Sequence, residues 1–117
     1  KILLQKRPAH GIWGALWCLP EVEIGVNTIH YCQQQWGISI GSSRALPALD
    51  HQFTHFKLRI HPQMLHVISS TLDVCNQFIW IDPIKALEQA IPVPVRTLLK
   101  QNVLSHNDKL RSAELSL

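Results

Sequence analysis

The chain has 117 residues, 46% hydrophobic and 16% charged, and no internal repeat. That is one domain's worth of protein with apolar surface for a single core, and it excludes a coiled coil or a chain that is disordered as a whole. Eleven basic against eight acidic side chains leave a formal charge of +3. This balance is compatible with a nucleic-acid partner without establishing one, because basic footprints act by clustering. No apolar run reaches the roughly 20 residues of a membrane helix, so no membrane association is expected. Cys18, Cys32 and Cys75 contain no C-x-x-C pair. They read as three buried thiols in a reducing compartment, too few for a four-ligand zinc or iron–sulfur site. The opening Lys1-Ile2-Leu3-Leu4 is too short for a signal peptide and reads as the start of an excised piece.

Ile2–Arg7 predicts a strand ended by Pro8. The loop His10–Trp17 follows, with Gly11 and Gly14 for turns and Trp13 and Trp17 as anchors against the sheet. From Asn27, an N-cap, Ile29, Cys32 and Trp36 recur at helical spacing, and Gly37 is the stop. Gly41-Ser42-Ser43 predicts a turn, and Ala45–Leu49 a short edge strand around Pro47. Phe56, Leu58 and Ile60 alternate with Lys57, Arg59 and His61, the period of a strand with one buried and one wet face. Met64–Ile68 continues that strand or pairs with it, and Phe78–Ile81 is a further strand. Asp82-Pro83 opens a short helix through Gln89, and Val95, Leu98, Leu99 and Val103 form the apolar stripe of a last helix. Beyond Leu104 the sequence turns polar, so residues 1–103 are expected as the domain and 104–117 as a flexible tail. Strands and helices without strict β-α-β alternation predict an α+β fold.

Where chemistry could sit is narrowed by what is missing. The Trp loop, the following helix and Gly37 resemble the layout of Nudix hydrolases, in which glutamates of the helix bind a divalent metal for pyrophosphate hydrolysis. Here the corresponding stretch is Gln34-Gln35-Trp36-Gly37, and no Asp or Glu occurs from Ile24 to Leu49. Neutral amides cannot replace a carboxylate cluster around a hard cation. His51, His55, His61 and His66 lie close together, but His55 and His61 stand roughly 20 Å apart at strand rise, and no metal site is expected. The segment Asp50–Phe56 places an aromatic, hydroxyl-bearing turn before a strand carrying Lys57 and Arg59. That is one way to build a base reader: a ring to wedge, a hydroxyl for a base edge, cations for phosphates. A hairpin turn with Phe53 packed inward and Thr54 capping a backbone group fits the same residues.

Four blocks carry a closer resemblance: Leu4–Pro8, Gly11–Pro20, His51-Gln52-Phe53-Thr54-His55-Phe56 and Pro94–Leu99. In this order they resemble the C-terminal domain of MutY-type adenine DNA glycosylases, a catalytically silent relative of the Nudix fold. The resemblance implies a Nudix-like mixed sheet flanked by helices, and a role in recognising 8-oxoguanine opposite an adenine that a separate catalytic half removes. It implies that Phe53, Thr54 and His55 approach the lesion, with His51, Gln52 and Lys57 beside them. Thr54 stands where the family's residue is usually Ser, keeping the hydroxyl and adding a methyl. No cofactor is expected on this chain; the parent's iron–sulfur cluster and catalytic acids belong to the N-terminal half. The implied partners are that half and duplex DNA containing 8-oxoguanine paired with adenine, for a monomer in a bacterial cytoplasm. A nucleotide pyrophosphohydrolase and a protein-interaction domain are the alternatives.

Overall fold

The computed structural model describes residues 1–72, 77–103 and the backbone of 113–116. Strand β1 (Ile2–Lys6) is central in a three-stranded antiparallel sheet, between β2 (Trp17–Cys18) and β7 (Phe78–Ile81). Its side chains alternate between two cores: Ile2 and Leu4 enter one cluster and Leu3 enters the other. Strand β7 divides likewise, with Ile79 and Ile81 toward the first cluster and Phe78 and Trp80 in or against the second. The second sheet has the order β3 (Ile38–Ala45), β6 (Gln63–Ser70), β8 (Ala113–Ser116), all antiparallel. Strand β6 repeats the division, Met64 joining the first cluster and Leu65 the second. Strands β4 (Leu49–Gln52) and β5 (Lys57–Ile60) pair with each other in a two-stranded unit belonging to neither sheet.

The helices close the cores. Helix α1 (Thr28–Trp36) contributes Cys32 to the second cluster, beside Leu3, Ile38, Leu65 and Phe78. Helix α3 (Val93–Asn102) covers the first with Val95, Leu98 and Leu99, joined by Val103 and by Ala86 of the short helix α2 (Pro83–Ala86). The first sheet therefore lies between helices on both faces. Sheets flanked by helices without β-α-β alternation make the fold α+β, as the sequence predicts, and the described pairings are all antiparallel where a mixed sheet is expected. Cys18 and Cys32 are buried free thiols; burial pushes the Cys18 thiol up to about 11 and also raises that of Cys32. Cys75 lies outside the described residues. Among the described residues no helix is long and apolar enough to cross a membrane.

Local signals placed α1 well. The Asn27 side chain accepts from the His30 amide at 3.0 Å, and Gly37 ends the helix in the left-handed region at φ 63°. The buried phase differs from the expectation: Ile29 is 40% exposed, and Thr28 and Cys32 face inward. Thr28 is satisfied there because its hydroxyl accepts from Gln63 Nε2 at 2.9 Å. Gly41-Ser42-Ser43 is no turn; β3 runs through it, and register shifts between Ser39 and Ser42 absorb the irregularity as bulges. The expected strand Ala45–Leu49 is likewise corrected. Ala45 ends β3, Leu49 begins β4, and Pro47 lies between them outside any strand. Met64–Ile68 belongs to the partner of β3, separated from β5 by buried Pro62. Helix α2 stops at Ala86, with tight turns from Lys85 and Ala86 carrying the chain to Gln89. Within the segment expected as a tail, Ala113–Ser116 pairs with Gln63–His66, and 104–112 and 117 lie outside the described residues.

Candidate functional site

A cleft of about 410 Å³ opens between the 21–26 loop and β5, with Glu21, Glu23, Thr28, Arg59, His61 and Gln63 among its walls. Two regions border it, the start of α1 and the β4–β5 hairpin. On α1, the first turn has no acid and the last has no base. Gln33, Gln34 and Gln35 are exposed, and Gln33 Oε1 accepts from the Ser39 hydroxyl at 2.8 Å. The carboxylates nearest this helix in sequence are Glu21 and Glu23, and Glu21 is held by Arg7 at 2.6 Å. Among the described residues no three His, Cys, Asp or Glu side chains come together to hold a metal ion. A divalent cation that needs several anionic oxygens does not fit this donor set.

The hairpin is built differently. Asp50 and Arg59 are cross-strand partners, and the guanidinium grips the carboxylate through two bonds, Nε to Oδ1 at 2.9 Å and Nη2 to Oδ2 at 3.2 Å. Hydrogen bonding from Arg59 holds the Asp50 carboxyl below the ordinary carboxylate range, and the charges of Arg59, Lys57 and His61 act in the same direction. Lys57 Nζ stands 3.9 Å from Asp50 Oδ2. Asp50 is the one acid from Ile24 to Leu72, and it is neutralised within its own hairpin. What faces solvent around the tip is cationic or neutral.

The turn itself is pinned by backbone and by Gln52. The Phe53 amide donates to the Phe56 carbonyl at 2.7 Å, and Gln52 Nε2 donates to the carbonyls of Phe53 at 2.8 Å and Phe56 at 3.2 Å. Gln52 thus braces the turn. Thr54 and His55 stand exposed at the tip, with Lys57 exposed just beyond. Phe53 is half-buried and touches three rings: it stacks on Phe56 (4.6 Å, 22°), meets His51 edge-on (4.7 Å), and lies 5.6 Å from Trp13. The expectation that Phe56 joins a buried strand face is corrected, since it is 45% exposed. The strand starts at Lys57, so Phe56 belongs to the turn, and its ring covers Phe53 instead of entering a core.

The structure therefore brings His51, Gln52, Phe53, Thr54, His55 and Lys57 together on one hairpin, in graded exposure. Two contacts of this hairpin are not given by residue type. The Asp50–Arg59 clamp was available from register, because a turn over 53–56 sets residue 50 opposite 59. Trp13 carried no such signal, because its contact with the hairpin joins segments distant in the chain.

Comparison with known proteins bears on the whole chain. A family model described as a NUDIX domain matches residues 1–101. The solution structure of the E. coli ORF135 protein superposes with a TM-score of 0.54 at 20% identity, covering 92% of this chain and 81% of that one. At that identity the likeness speaks to fold alone.

Proposed function

The chain belongs to the NUDIX family, and from that premise we propose that it reads damaged DNA: an 8-oxoguanine-recognition domain of an adenine DNA glycosylase. In this reading the adenine is removed by a catalytic half outside this chain, which also carries the iron–sulfur cluster, and the partner is duplex DNA with 8-oxoguanine opposite adenine. The observation that carries the reading is the hairpin tip, where Thr54 and His55 are presented on a stack of aromatic rings with the local acid neutralised. The helix that would carry hydrolytic chemistry has amides where carboxylates are required.

The chemistry fits the lesion. Guanine presents N7 to the major groove as an acceptor. Oxidation at C8 places a proton on N7 and an oxygen beside it, so the N7 acceptor becomes a donor and O8 is a new acceptor. The Thr54 hydroxyl can accept from that N7–H, and the exposed Lys57 can meet a phosphate. A hydroxyl also donates, so selectivity requires its proton to be held elsewhere or the backbone of the turn to take part. One such contact is worth about 1–3 kcal/mol, or roughly five- to 150-fold in preference.

Thr54→Ala in the full-length glycosylase tests this. Single-turnover rates and binding are compared for adenine opposite 8-oxoguanine and opposite guanine. The preference falls by at least about fivefold if Thr54 reads the lesion; an unchanged ratio removes it from that role. A second reading, a nucleotide pyrophosphohydrolase, is favoured by the family match and by the cleft beside α1. Magnesium-dependent hydrolysis of oxidised nucleoside triphosphates by this chain would establish it.

A further inference from the structure

We infer that Trp13 is a positioning residue for the recognition hairpin, fixing the angle at which Thr54 and His55 are presented. The inference rests on the hairpin being the base-reading element. Strands β4 and β5 pair with each other, and among the described residues no ladder ties the hairpin to either sheet. At its base the hairpin is secured by Ile60, which is buried, and by Leu49, which packs on the first core cluster. Toward the tip the support comes from another segment. The Trp13 ring lies 5.6 Å from Phe53 and 5.8 Å from His51, while also packing on the first core cluster. Phe53 passes the contact to Phe56, and the Phe53 amide is hydrogen-bonded across the turn. A continuous path of packed rings thus runs from the core through Trp13 to the residues that flank Thr54 and His55.

The segment carrying Trp13 is built to hold it still. Arg7 donates through Nε to the Ile12 carbonyl at 3.0 Å and is itself gripped by Glu21. The Ala15 amide donates to Pro8 at 3.0 Å, and the Leu16 amide to Trp13 at 3.1 Å. A side chain at Gly14 would collide with the Ala9 carbonyl, so the loop closes this tightly only with glycine there. Trp13 itself sits at φ 54°, a conformation that bulky residues adopt only when their surroundings impose it. An anchor serving the core alone has no need to spread its ring across two hairpin side chains.

The test separates positioning from simple anchoring. Trp13→Ala and Trp13→Phe are made in this chain, and three quantities are read. These are the melting transition, hydrogen exchange of the Phe53 amide with backbone shifts of Thr54 and His55, and relative affinity for duplexes holding 8-oxoguanine or guanine opposite adenine. The expected result for Trp13→Ala is a cooperative melt, about tenfold faster exchange at Phe53, displaced tip resonances and about three- to tenfold less preference. Trp13→Phe recovers most of both. Wild-type exchange and tip shifts in Trp13→Ala would overturn the inference. Should Trp13→Ala fail to fold, Trp13→Leu, apolar but without a ring, takes its place with the same two outcomes. Equal affinity of the wild type for both duplexes would defeat the recognition reading, while exchange at Phe53 would still decide the role of Trp13.

Discussion

Helix α1 and the β4–β5 hairpin border one cleft and are held in place by opposite means. The helix is fixed by features that owe nothing to its outer face. These are the Asn27 cap, the left-handed Gly37, the buried Cys32, and the Thr28 hydroxyl bonded to Gln63. Toward its C-terminal end the outward side chains are Gln33, Gln34 and Gln35, neutral amides that do not replace a carboxylate cluster around a hard cation. The hairpin has little burial of its own and depends on ion pairing, ring stacking and a brace from a distant loop. On the proposed reading, a family scaffold keeps its helix without that helix's chemistry and carries recognition on a projecting element instead. On that reading, supports of the helix bear on stability and supports of the hairpin on presentation.

Substitutions can break this contrast at graded points. Leu4→Ala strikes the central strand that both regions rely on, and should lower unfolding free energy by about 2–5 kcal/mol in denaturant titrations. Gly37→Ala strikes the helix end and leaves the hairpin aside. A side chain there meets the Thr71 hydroxyl at positive φ, for an expected loss of about 1–2 kcal/mol with exchange at the Phe53 amide unchanged. Thr54→Ala is the converse, with stability within about 0.5 kcal/mol of wild type despite the loss of lesion preference. If Thr54→Ala melts like a core variant, the separation of presentation from stability is lost.

The smallest effect concerns Asp50. Its carboxyl titrates below the ordinary value of 3.8, so its contribution to stability is present above that value and lost as pH falls through the lowered one. Thermal melts from pH 6 downward should show a modest fall beginning only below about pH 4, and Asp50→Asn should remove that part of it. Because the pair is solvent-exposed, the change is small and weakens with salt.

Much of this was legible because the signals were local. Asn27 and Gly37 bracket a helix whichever way it packs, and the alternation from Leu58 to Ile60 survives as strand β5. The segment from His51 to Lys57 announced itself by residue type and forms one hairpin. Readings failed where pairing across the chain outweighed local preference. Gly41-Ser42-Ser43 has turn chemistry, yet β6 draws it into an exposed edge strand that takes up the irregularity as bulges. Ile29 fits a helical stripe, but Gln63 gives the inward position to Thr28. The ring path from Trp13 to Phe53 joins two loops and leaves no periodic trace.

The central claim is that the hairpin, and not the helix, is the working surface. Its most direct test is an amide-resolved NMR titration of this chain with duplexes carrying 8-oxoguanine or guanine opposite adenine. The account predicts shifts concentrated at Phe53–Lys57, larger for the oxidised duplex, with Gln33–Trp36 undisturbed. Shifts confined to α1 and the 21–26 loop, reproduced by a nucleoside triphosphate with magnesium, would contradict it.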